Sequence, residues 1–331
     1  MLLRLFRGTG PGVMFMIILA AAGIWFHAFI NPQLPASFSY DLNPMPLYAL
    51  LKSISGNSAI TGVFISFVLV LLMSFLLVNF NTTVFFINER TFLPAIIYVF
   101  FSGLFPHYQL LNPVLPAALF LMLAIRRIMD SYRKNGTVYN FFDASLIIAT
   151  GSLFYANLIW FALLVMIGIA ILRTGNLWEL ALSVLGLCVP PLLTAGIYYV
   201  ADKDLDQLAS VAKYNLFQKA GDFHLSGLVI PGLIIIGFCC ILSLFHLLSV
   251  MNVKKIKSRK TFSELIWTFF ITVVVFFVVP SASIELIYIA AIPLSYFLTH
   301  YFIFSKKQLI PEIFFTAFFV VNIVVQIWYF K

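Results

Sequence analysis

Apolar residues in this chain run in continuous stretches separated by short clusters of Pro, Gly, Asn and charge, with no polar alternation inside the stretches. A bilayer core takes roughly 20 helical residues to cross, and on that scale apolar segments fall near 11–30, 59–80, 91–105, 113–128, 141–154 and 157–172. Five more follow near 177–200, 225–250, 262–279, 283–302 and 312–330. Lipid offers no hydrogen bonds, so each backbone amide must be paired within its own helix or in a closed barrel. The unbroken apolar runs predict helices, because barrel strands alternate.

The expected fold is therefore an all-α polytopic membrane protein, with residues 1–331 forming a single transmembrane domain. The count is about eleven helices, or about nine if one of the short pairs in the 91–172 region is a re-entrant hairpin. Two connections exceed a simple turn and read as external loops, 31–57 and 201–224. In the first, Leu47, Leu50, Leu51 and Ile54 recur at helical spacing, predicting an interfacial helix with Lys52 toward headgroups. In the second, Leu208, Ala209, Ala212 and Leu216 share one face of an amphipathic helix with acids at its start.

Composition agrees: 62% hydrophobic and 10% charged residues leave too little polar surface for a water-soluble globule. Charge then orients the chain. With the N-terminus inside, Lys52, Lys203, Lys213, Lys219 and Lys331 are the basic residues on the outer side. The inner side collects the other fifteen, among them Arg4, Arg7, Arg90, Arg126, Arg127, Arg133, Lys134, Arg173, the run from Lys254 to Lys260, Lys306 and Lys307. That asymmetry satisfies the positive-inside rule and places the C-terminus outside. The net charge of +8 belongs to helix ends facing anionic headgroups, which argues against nucleic acid as a partner and for membrane lipids. The first apolar run continues to Ile30, too long for a cleaved leader, so it reads as a retained helix. Cys188, Cys239 and Cys240 lie inside apolar segments without metal-ligand spacing, and the sequons at Asn81 and Asn135 fall on the inner side.

Acids in a membrane protein are candidate functional groups, yet capping accounts for several. Asn176 with Glu179 and Thr261 with Glu264 have the cap-to-N3 spacing, Asn140 with Asp143 resembles it, and Glu285 and Glu312 fall in first turns. Asp41, Asp202, Asp204, Asp206 and Asp222 remain, all on the outer side, where His27, His107 and His224 also end their segments. Asp202, Asp204 and Asp206 imitate the start of an EF-hand, but Gln207 replaces its glycine and Lys213 its closing glutamate, leaving a weak candidate site for a divalent cation. The breaks at Pro106-His107-Tyr108-Gln109 and Tyr155-Ala156-Asn157 have two readings. They line an outward cavity with His107, Gln109 and Asn112, or they are short turns capped by Pro and Asn.

The layout resembles polyprenyl-phosphate-dependent GT-C glycosyltransferases and the related bacterial polysaccharide polymerases. The features that carry it are the inside N-terminus, Asp41 on the loop after the first helix, the stretch from Glu89 to Pro94 leading to Gly103-Leu104-Phe105-Pro106, and the Phe141-Phe142-Asp143-Ala144 segment ending at Leu172-Arg173. The resemblance covers the first half of the chain; a chain from a multi-pass bacterial family of uncharacterised function would share the same layout. It implies a bacterial inner membrane and transfer of a sugar from a polyprenyl-phosphate carrier at the outer face. Asp41 would be the general base, with Lys52, His107, Gln109, Asn112 and His27 as substrate-binding groups. The polymerases use external arginines, whereas every Arg here is placed inside. Two other classes fit the same layout: a transporter or flippase of a lipid-linked substrate, and a non-catalytic scaffold of an envelope complex with protein partners.

Overall fold

The computed structural model describes residues 2–32, 39–56, 58–132, 138–173, 177–219, 229–305 and 309–329. Arg133, Lys134, Asn135, Asn176, Asp222, His224, Lys306, Lys307 and Lys331 lie outside these residues. Every regular element among the described residues is helical. The chain runs through α1 (Leu2–Arg7), α2 (Pro11–Ile30), α3 (Ser39–Leu42), α4 (Pro46–Ile54) and α5 (Ala59–Val84). Four shorter helices follow, α6 (Leu93–Gly103), α7 (Val114–Asp130), α8 (Val138–Ser152) and α9 (Ala162–Arg173). The rest are α10 (Leu177–Val200), α11 (Leu205–Phe217), α12 (Val229–Val250), α13 (Ile256–Val278), α14 (Ile287–Phe304) and α15 (Leu309–Tyr329).

Each of the eleven apolar segments is a helix, but among the described residues eight stretches have the length and composition to cross a membrane. These are α2, α5, α10, α13 and the stretches Ala156–Arg173, Gly232–Val253, Ile284–Phe304 and Leu309–Trp328. The helices α6, α7 and α8 fall short. α6 has only 11 residues, and α7 ends in Arg126, Arg127 and Asp130.

Local chemistry explains the starts and stops. Pro11, Pro46 and Pro94 occupy first turns of α2, α4 and α6, where a missing N–H costs nothing. α5 ends at Phe85 in the left-handed region, φ 55°. The following turn is held by Asn81, whose amide donates to the Glu89 carbonyl at 2.9 Å. The sequon at Asn81 is thus a buried turn brace.

Burial sorts the helices into layers. In α14, 83% of the most apolar stretch is buried, against 17% in α10, so α14 is central and α10 peripheral. α6 is buried on every side. Tyrosines tie this centre together: Tyr296 donates to the Leu77 carbonyl at 2.8 Å, Tyr288 to Tyr108 at 2.9 Å and Tyr98 to Tyr288 at 3.3 Å. A hydroxyl away from water must find a partner, and here each one pins a neighbouring helix or turn.

The bundle has two chemically different ends. At the basic end Arg7 pairs with Glu89 at 3.0 Å, Arg127 with Asp143 at 2.5 Å, and Arg173 with Glu179 at 3.6 Å. At the other, the loop end, the segment containing α3 and α4 folds over the turns near 104–113, 153–161 and 279–286. Leu47 N–H donates to the Leu153 carbonyl at 3.1 Å, and Asn215 of α11 donates to the Asn43 carbonyl at 2.7 Å.

Three sequence expectations need correction. Thr261 and Glu264 do not cap a helix, because α13 starts at Ile256, carrying Lys257, Arg259 and Lys260 in its first turns. The apolar onset had suggested a later start. Asn140 and Asp143 likewise lie inside α8, and Asp143 serves Arg127 instead. On α11 Leu208, Ala212 and Leu216 are half-buried as expected, together with Val211, Tyr214 and Asn215, and only Ala209 departs from the pattern by being exposed.

Candidate functional site at the loop end

The amphipathic pattern of α4 places Tyr48 inward and leaves Leu50 and Ile54 exposed. Lys52 does not turn to the headgroups as expected. Its ammonium reaches back to Asp41 Oδ1 at 3.2 Å, and the Tyr48 hydroxyl contacts the same oxygen at 3.1 Å and the Leu111 carbonyl at 3.2 Å. The reason is burial: the Asp41 side chain is only 6% exposed, and a carboxylate so withdrawn needs a counter-charge more than an interface needs a lysine. Oδ2 of Asp41 is buried and accepts no hydrogen bond among the described residues. Burial raises the Asp41 pKa, and the Lys52 charge, its hydrogen bond and that of Tyr48 oppose the rise. Burial and the neighbouring carboxylate push the Tyr48 phenol up.

A second buried acid stands behind this pair, one that capping logic had absorbed. Glu285, 3% exposed, accepts from the Ser283 hydroxyl and from Tyr155 at 3.5 Å. Asn157 Nδ2 contacts the Tyr155 hydroxyl at 3.3 Å and donates to Ser281 at 2.9 Å, and Ser281 contacts the Leu216 carbonyl at 2.9 Å. Tyr40 lies in the field of both acids; burial, then Glu285, raises its pKa. Tyr108, beside Ser283, is pushed up to about 12, first by burial and then by Glu285. A cavity of about 10 Å³, room for one water, is lined by Tyr40, Tyr155, Asn215, Gln218 and Ser281. The Asn157-Ser281 contact joins residues 124 apart, which no local pattern signals.

His27, His107 and Gln109 come together with Asn31 around another small cavity of about 10 Å³. Gln109 donates to the Ile24 carbonyl at 3.4 Å, and burial lowers the His107 pKa, which favours the uncharged ring. Asn112 does not join it. Its Oδ1 takes the Val114 N–H at 2.8 Å, the turn-cap alternative. His27 also lines an apolar groove of about 360 Å³ between α2 and α15, with Leu19, Gly23, Phe26, Phe319, Ile323 and Gln326. Through Gln109, Leu110 and Leu111 the His27 cavity and the Asp41 cluster flank one turn.

Asp202, Asp204 and Asp206 converge on no metal geometry. Asp204 Oδ1 caps α11 by accepting the Asp206 N–H at 2.9 Å, and Asp202 takes a left-handed turn, φ 51°. Among the described residues no three His, Cys, Asp or Glu side chains gather as a metal would require.

A family model described as "Family of unknown function (DUF6427)" matches residues 45–331. The chain belongs to that family. No curated protein and no solved structure matches it. The residues matched to DUF6427 include Tyr48, Lys52, Glu285 and both breaks at the loop end, while Asp41 lies four positions before them.

Proposed function

We propose that this chain is a glycosyl-transfer protein of the bacterial inner membrane, with about eleven helices, an inside N-terminus and its loop end outside. It would move a sugar from a polyprenyl-phosphate carrier to an acceptor hydroxyl during envelope glycan assembly. The observation that carries the reading is Asp41: one oxygen is fixed by Lys52 and Tyr48, and the other has no hydrogen-bond donor among the described residues. A general base needs that arrangement, with one edge held in place and a lone pair left for the proton. A carboxyl raised by burial is also a stronger base than a solvated one.

The second support is the groove between α2 and α15. It is lined mostly by apolar side chains and meets the polar group of His27, Asn31, His107 and Gln109, which suits an amphiphile with its chain in the membrane and its head at the loop end. Lys52 is the cation nearest the base and would meet the departing phosphate as negative charge develops there. A divalent cation at the phosphate remains the candidate cofactor, supplied with its substrate.

The test compares lipid-linked and surface glycans by mass spectrometry in the native host carrying wild type, a deletion or Asp41→Asn at equal expression. A glycan truncated by one residue in both mutants, with its lipid-linked precursor accumulating, is the expected result. Unchanged glycans in the deletion strain would remove the enzyme reading in favour of transport or a scaffold.

A further inference from the structure

In the half of the bundle toward the basic end, Glu264 lies two turns inside α13, 1% exposed, and neither carboxyl oxygen has a hydrogen-bond partner among the described residues. It packs on α9 at Gly168, where a Cβ would stand 3.3 Å from Glu264 Oε1 and 2.7 Å from Ile128. The space for the carboxyl therefore exists because residue 168 has no side chain. Lys260 sits one turn earlier on the same helix, at the i−4 spacing that lets two side chains meet. Its ammonium is instead drawn to the Ile171 carbonyl of α9, at 2.7 Å, and over the Tyr132 ring.

Several other ionisable groups on the neighbouring elements have partners of their own, whereas both ring nitrogens of the buried His300 have no hydrogen-bond partner among the described residues. Arg173 on α9 pairs with Glu179, and Arg127 on α7 pairs with Asp143. His300 on α14 meets α13 at Phe262, while Lys254 lies over Phe262 and Phe304. Glu285 is held at the loop end by Ser283 and Tyr155. A bare carboxylate in so dry a place is untenable, whereas a carboxylic acid is not.

We propose that Glu264 is a proton-binding site in the membrane interior, protonated while Lys260 is bonded to α9 and ionised when Lys260 swings to pair with it. The site is independent of the loop-end acids. It supplies the unpaired intramembrane acid that a proton-linked step requires and that the sequence pattern had assigned to a helix cap.

Carbodiimide labelling of the full chain in lipid vesicles tests it. A protonated carboxyl adds across one C=N bond of dicyclohexylcarbodiimide, and the acyl group then migrates to nitrogen, leaving a stable N-acylurea with no atom lost. Peptide mass spectrometry should find the adduct on Glu264, falling about tenfold per pH unit once the titration midpoint is passed. Lys260→Met, which removes the partner of the ionised form, should move that midpoint upward. Infrared spectra should show a protonated carboxylic C=O band that Glu264→Gln loses. An unlabelled Glu264 in the folded chain, or labelling that ignores pH, overturns the proposal without touching the glycosyl-transfer reading.

Discussion

Replacing Lys52 by Met removes the one counter-charge, among the described residues, of a carboxyl whose side chain is 6% exposed, and retains a side chain long enough to fill the same space. Breaking a fully buried pair leaves an uncompensated charge and costs about 3–5 kcal/mol. The Lys52 side chain is 33% exposed, so solvent screens part of the interaction, and about 1–3 kcal/mol is the expected loss. Its pH dependence is the sharper test. Folding raises the Asp41 pKa and Lys52 opposes the rise, so the variant's folded pKa stands higher still. The cost is therefore full above the variant's folded pKa, shrinks as pH falls through it, and is absent where both proteins hold Asp41 protonated. Thermal unfolding of the detergent-solubilised chain, followed by tryptophan fluorescence at about pH 8 and about pH 4, reads the difference. In an Asp41→Asn background the same substitution should cost little, giving a coupling near the full loss. A penalty that is equal at both pH values, or that persists undiminished once Asp41→Asn has made the partner neutral, would show that Lys52 acts through packing and not through charge.

Three further outcomes follow from packing and capping. At Gly186 of α10 a Cβ would lie 2.5 Å from the Phe142 backbone oxygen of α8, so Gly186→Ala should force the helices apart and cost about 1–3 kcal/mol. Gly196 on the same helix meets nothing within 4 Å, and Gly196→Ala should be neutral or stabilising in the same unfolding assay. Asp204→Ala removes the cap of α11 and should cost about 1 kcal/mol locally, read as faster amide exchange in the first turn of α11 with no change in α10.

Helix positions were legible because hydrophobic period and length are local properties, and each apolar segment became a helix. The interior order was not, since α14 and α10 read alike as apolar runs and only assembly makes one central and the other peripheral. The α4 pattern gave the right helix and the wrong lysine, because periodicity positions Lys52 on a face but does not reveal that Asp41 is folded onto that face. Asp41 stood out as an acid on a loop that capping did not explain. Glu285 and Glu264 did not: Glu285 does sit in a first turn behind Ser283, so that position hid its burial, whereas Thr261 three positions before Glu264 only mimics a cap. The signal that separates Glu264 is Lys260 four residues before it, a pair that makes little sense at a helix start and better sense inside one.

The burial pattern also says where the molecule has room to move. α14 is pinned along its length, at Tyr288 to the turn at Tyr108 and at Tyr296 to α5, and is enclosed by neighbours throughout. α13 is buried over only 44% of its most apolar stretch, and its contact with α9 near Glu264 rests on a glycine and a lysine bonded to a helix-terminal carbonyl. If Lys260 leaves the Ile171 carbonyl to pair with an ionised Glu264, that contact would weaken while the tyrosine bonds that hold α14 stay in place. A proton-linked motion would therefore tilt α13 against α9 about a fixed α14.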